Sequence, residues 1–75
     1  MSGLTIISPK DMIKILHKSE FVEIRQNGSH TFFRHSDGRT TVIPLHGKDL
    51  KRGLIKAILK DIKLTDEEYK NLKKV

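Results

Sequence analysis

Asn27-Gly28-Ser29-His30-Thr31-Phe32-Phe33-Arg34-His35 decides how this chain is read. Asn27-Gly28 signals a hairpin turn, because both residues tolerate positive φ. The aromatic, histidine and arginine residues that follow read as a strand from about His30 to Ser36. Alternation puts His30, Phe32 and Arg34 on one face and Thr31, Phe33 and His35 on the other. Upstream, Phe21 to Gln26 reads as the partner strand, with Val22 and Ile24 toward a core and Phe21, Glu23 and Arg25 opposite. Downstream, Asp37-Gly38 signals a second turn. Arg39 to His46 reads as a third strand, with Thr41, Ile43 and Leu45 on one face and Val42, Pro44 and His46 on the other. Pro44 has no N–H for a ladder and so belongs on an edge or near a strand end.

Helices flank this meander. Ser8 can cap free amides, Pro9 suits the first helical position and Asp11 falls in the first turn. Met12, Ile13, Ile15 and Leu16 follow at helical spacing, to a stop near Lys18 or Ser19. After Gly47-Lys48-Asp49, Leu50 to Ile62 carries an apolar stripe of Leu50, Leu54, Ile55, Ile58, Leu59 and Ile62, with Arg52, Lys56, Lys60 and Lys63 opposite. Thr65 and Glu68 form a capping box that opens a short third helix. That last segment, residues 65–75, reads as an appendage that frays, with Tyr69 and Leu72 available to dock. The expected fold is α+β, an α-β-β-β-α core over about residues 8–63 with two helices on one face of a three-stranded antiparallel sheet. Residues 1–75 read as one domain.

A chain of 75 residues has a thin core, and a shallow site for a large ligand is expected. Fifteen Lys+Arg against nine Asp+Glu give a formal charge of +6, which favours an anionic partner such as nucleic acid. There is no cysteine, which excludes disulfides, thiolate catalysis and cysteine zinc sites. With no apolar stretch of membrane length, a cytoplasmic protein without membrane association is expected.

The face expected to stay uncovered bears His30, Phe32, Arg34, Val42 and His46, joined by Arg25 if its strand keeps register. Arginine pairs with phosphate, phenylalanine stacks on an unpaired base, and histidine moves protons near neutrality. RNA brings its own nucleophile, the 2′-hydroxyl. A base that deprotonates it and a cation that steadies the phosphate can cut a strand without metal. Lys48, Lys51 and Arg52 cluster where the second helix begins, and its dipole also attracts anions. No metal site or cofactor is expected. His30 and His35 point to opposite faces, His17 lies on another element, and there is neither HExxH nor a Gly-rich phosphate loop. Two other readings of the same surface remain open: a module that grips double-stranded RNA without cutting it, and a basic protein-interaction domain.

Gly28-Ser29-His30, Phe33-Arg34-His35, Asp37-Gly38-Arg39, Val42-Ile43-Pro44-Leu45-His46-Gly47 and Asp49-Leu50-Lys51-Arg52-Gly53, in this order and spacing, resemble the HicA family, the toxin half of HicA–HicB toxin–antitoxin pairs. The resemblance runs from about Pro9 to Ile62. It implies a fold similar to a double-stranded-RNA-binding domain and a metal-independent endoribonuclease that cleaves mRNA, an mRNA interferase. His30, after Gly-Ser, would be the catalytic residue. Gly28, Ser29, Phe32, Arg34, His46, Lys48, Lys51 and Arg52 would contact RNA. It further implies a monomer on its own and a hetero-oligomer with a HicB-type antitoxin. Many members carry further histidines directly after the catalytic one, where this chain has Thr31 and Phe32.

Overall fold

Ser8 caps the first helix in a computed structural model that describes residues 5–45 and 47–73. Its hydroxyl accepts the Asp11 N–H at 3.2 Å and opens helix α1 (Pro9–Lys18). Strands β1 (Phe21–Asn27), β2 (His30–His35) and β3 (Thr40–Pro44) follow, then helices α2 (Arg52–Ile62) and α3 (Asp66–Lys73). The strands form one antiparallel sheet in the order β1-β2-β3. The fold is therefore α+β, with the α-β-β-β-α order expected and a further helix.

Both hairpins follow their turn chemistry. Asn27 pairs with His30, so the first loop is Gly28-Ser29, and only Gly28 takes a positive φ, of 63°. That sign pattern belongs to a type II′ turn, which needs glycine at the first loop position only. The second loop is Ser36-Asp37-Gly38, closed by Gly38 N–H to His35 O at 2.9 Å and His35 N–H to Arg39 O at 2.8 Å. Gly38, at φ 102°, completes a three-residue hairpin with a bulge at its glycine.

The core lies between one sheet face and the helices. Phe21, Phe33 and Ile43, with Thr31 and Thr41, meet Met12, Ile15 and Leu16 of α1 and Ile55, Ile58, Leu59 and Ile62 of α2. Phe33 and Ile43 were expected there. β1 is different: Val22 and Ile24 are 58% and 53% exposed, while Phe21 is 1% exposed. Seating Phe21 inward buries one large aromatic ring. Strict alternation would then carry Arg25 inward too. A β-bulge between Glu23 and Arg25 prevents this, placing Arg25 opposite Phe32 and keeping the charge out of the core. Leu45 also leaves the expected covered face, because β3 stops at Pro44.

Two further departures concern the helices. α2 starts at Arg52, not Leu50; Leu50 is buried ahead of it and donates its N–H to Ile7 O at 2.8 Å. α3 is tied to the body. Its capping box forms, with Thr65 N–H to Glu68 Oε1 at 2.8 Å and Glu68 N–H to Thr65 Oγ1 at 3.1 Å. Tyr69 is fully buried and its phenol donates to Thr5 O at 2.6 Å, while Lys18 Nζ donates to Leu72 O at 3.0 Å.

Candidate functional site

The uncovered sheet face is built in three transverse rows. β2 alternates without interruption, so His30, Phe32 and Arg34 all point outward. His30 lies between Asn27 and Pro44, Phe32 between Arg25 and Val42, and Arg34 between Val22 and Thr40. Residues two apart in a strand are separated by about 7 Å. His30 is therefore one row from Phe32 and two from Arg34, about 13 Å away. His30, Arg25 and Arg34 are exposed; Phe32, Val42 and Pro44 are half-buried. No row contains a carboxylate. Among the described residues Arg25 and Arg34 have neither a hydrogen bond nor an ion pair. The Arg25 guanidinium lies over the Phe32 ring, 4.6 Å from its centroid.

The hairpin sets where His30 emerges. Gln26 Nε2 donates to Gly28 O at 3.2 Å, and Leu45 N–H donates to Ser29 O, which carries the β2–β3 pairing past Pro44. Gly28 and Ser29 thus form a braced loop beside the histidine. The same Leu45 bond brings the segment after β3 to the His30 end of the sheet. There a shallow hollow is lined by Ser8, Pro9, Lys10, Ile13, Leu45, Gly47, Lys48 and Asp49. Lys48, Lys51 and Arg52 are exposed on this segment and at the start of α2, whose first turn has no acidic residue. Lys51 takes the N-cap position, where the helix dipole is positive.

The structure sets Gly28, Ser29 and His30 at one end of the sheet, with Lys48 on the hollow that Leu45 also lines, keeps Phe32 in the adjacent row, and sets Arg34 at the far end. His46 lies outside the described residues. One cation, Lys10, was missed by sequence reasoning as a site residue. Lys10 reaches the hollow only because Leu50 and Ile7 pair, a tertiary contact with no local signal. Arg25 reaches the face through the bulge and not through unbroken register.

The other described histidines serve packing. His17 sets its ring edge on Phe33 at 6.0 Å, and His35 packs against Phe21 at 5.1 Å with its Nδ1 accepting the Asp37 N–H at 3.1 Å. Arg39 is a latch: its Nε donates to Asp37 Oδ2 at 2.8 Å, its Nη1 to Ile62 O, and its guanidinium lies over Phe21. The Arg39 backbone N–H holds the Asp37 carboxyl below its ordinary value, against an opposing effect of desolvation, and the Arg39 guanidinium adds to the lowering. Among the described residues no group of three or more His, Cys, Asp or Glu is placed to hold a metal ion, and no helix is long and apolar enough to cross a membrane.

Among known families, the chain matches the one described as HicA toxin of bacterial toxin-antitoxin, over residues 9–64. No curated protein matches the chain.

Proposed function

The chain belongs to the HicA toxin family, and from that premise we propose that it is a metal-independent endoribonuclease that cleaves mRNA, with His30 as its catalytic residue. The observation that carries this reading is the setting of His30: exposed at a hairpin exit, on a sheet face whose three rows hold two arginines and no acid.

The imidazole takes the proton from a ribose 2′-hydroxyl as that oxygen attacks the adjacent phosphorus. The P–O5′ bond breaks, and the 5′-oxygen leaves with a proton from the imidazolium or from water. The products are a 2′,3′-cyclic phosphate and a 5′-hydroxyl. Lys48, Lys51 and Arg52, exposed on the segment after β3 and at the start of α2, supply positive charge for phosphate. Arg34, two rows away, meets a phosphate farther along the strand. Phe32, beneath the Arg25 guanidinium, backs a surface for a base. A HicB-type antitoxin would restrain the toxin by covering this face, in a cytoplasmic complex of the two proteins.

The test is cleavage of RNA by the purified chain in excess chelator, with analysis of the product ends. Cyclic phosphate ends are expected, and His30→Ala should cut about 10²- to 10⁴-fold more slowly, the range for loss of a general base. RNA that stays intact at every protein concentration would leave a binding module. Cleavage that His30→Ala does not slow would remove the histidine from the chemistry.

A further inference from the structure

We infer that Arg25 and Phe32 together form a subsite for one unpaired nucleobase, and that the substrate is therefore single-stranded RNA. This inference rests on the nuclease reading above for its RNA but not for its geometry. Three observations carry it. The bulge at Ile24 turns Arg25 from the covered side to the open one; bulges of this kind re-aim side chains at functional sites. The guanidinium then lies over the Phe32 ring, 4.6 Å from its centroid. Among the described residues Arg25 has no acid and no carbonyl to occupy its donors, in contrast to Arg39, whose donors go to Asp37 and Ile62 O.

A planar cation that rests on an aromatic ring and is open on its outer side stacks on a nucleobase and hydrogen-bonds to base edges or phosphate. Phe32 holds the plane in place from behind, between Arg25 and Val42. The Arg25–Phe32 row is about 7 Å from the His30 row. A base seated here therefore belongs to the nucleotide next to the one that His30 deprotonates. In a duplex that base stays within its own stack, out of reach of a flat sheet surface. The α-β-β-β-α order is shared with duplex binders, but the placement of these cations selects for splayed bases.

The test uses the full chain carrying His30→Ala, so that RNA is bound and not consumed. Three labelled RNAs are compared: a single-stranded ten-mer, the same strand in a duplex, and the same strand with abasic residues. The single strand should bind tightest. Arg25→Lys, which keeps the charge and loses the plane, and Phe32→Leu should each weaken single-strand binding about tenfold and leave abasic binding unchanged. Equal weakening of intact and abasic RNA, or a duplex bound as tightly as the single strand, overturns the subsite. So does the absence of binding to any RNA, which would point to a protein partner on this face. If the wild-type chain proves unable to cut RNA while the base dependence persists, the nuclease reading falls and the subsite stands. If it cuts and no base dependence is seen, the subsite alone falls.

Discussion

Phe32 and Phe33 are consecutive residues of β2 in opposite situations. Phe33 is fully buried against the helices, with the His17 ring edge on it. Phe32 is half-buried on the open face, with Arg25 over its ring. The same division holds for charge. On the helix side Arg39 satisfies its donors with Asp37 and a helix-end carbonyl. On the open side Arg25 and Arg34 have no counter-ion among the described residues. One face is closed upon itself; the other presents solvated charge and aromatic surface that a ligand could engage. A structural cation and a binding cation are distinguished here by what occupies their donors, not by residue type.

The largest expected effect separates the two phenylalanines. Phe33→Ala should cost about 3–5 kcal/mol, since it leaves a cavity in a thin core. A domain of this size holds on the order of 5–10 kcal/mol in all, so the variant should lose about half of its stability. Phe32→Ala should change stability by about 1 kcal/mol or less. Urea denaturation followed by circular dichroism measures both. Comparable losses for the two would mean that the open face is part of the core, and the comparison would fail.

Where the sequence could be read and where it could not follows from the range of the physics involved. Ser8-Pro9, Thr65 with Glu68, and the glycines at 28 and 38 act within a few residues of themselves, and each does what its chemistry implies. The faces of β2 were legible because that strand alternates without interruption. β1 was not. Val22 and Ile24 compete with Phe21 for the core, and the winner depends on where the neighbouring strand accepts a bulge. His30, Phe32 and Arg34 could be placed on one surface from parity alone. Arg25 reaches that surface by a route that alternation does not contain, and Lys10 by the docking of one loop on another. The docking of α3 rests on Tyr69 and Leu72 alone, two apolar residues in a short polar helix, which is too little periodic signal to tell a docked helix from a fraying one.

That ring offers a smaller and more specific test. Tyr69→Phe keeps the packing and removes the hydrogen bond to Thr5 O. The loss should be about 1 kcal/mol, lowering Tm by about 4–8 °C. Burial, with a smaller contribution from the Asp11 charge, pushes the Tyr69 phenol above its ordinary value. The native state therefore keeps its proton where the unfolded chain has lost it. Stability from this group is complete below pH 10 and falls as pH rises beyond it. Wild type should lose stability in that alkaline range, and Tyr69→Phe should lose less. Identical alkaline limbs would show that the phenol is not held within the core.

The smallest effect belongs to the latch, and it works at the opposite end of the pH scale. Asp37 has a lowered folded pKa, so the stability it contributes is present above the ordinary carboxylate value near 4 and disappears as pH falls through the folded one. Its carboxylate is exposed to solvent, so the contribution is modest. Asp37→Asn should be slightly less stable than wild type at pH 7, and the difference should close as pH falls through the lowered folded value. Arg39→Ala should lose more, because it also gives up the bond to Ile62 O and the cover over Phe21. Part of that loss is independent of pH, so a gap to wild type should remain in acid. If the two variants converge on wild type together, Arg39 acts only through Asp37. The latch would then be a surface ion pair and not the tie between the second hairpin and the end of α2.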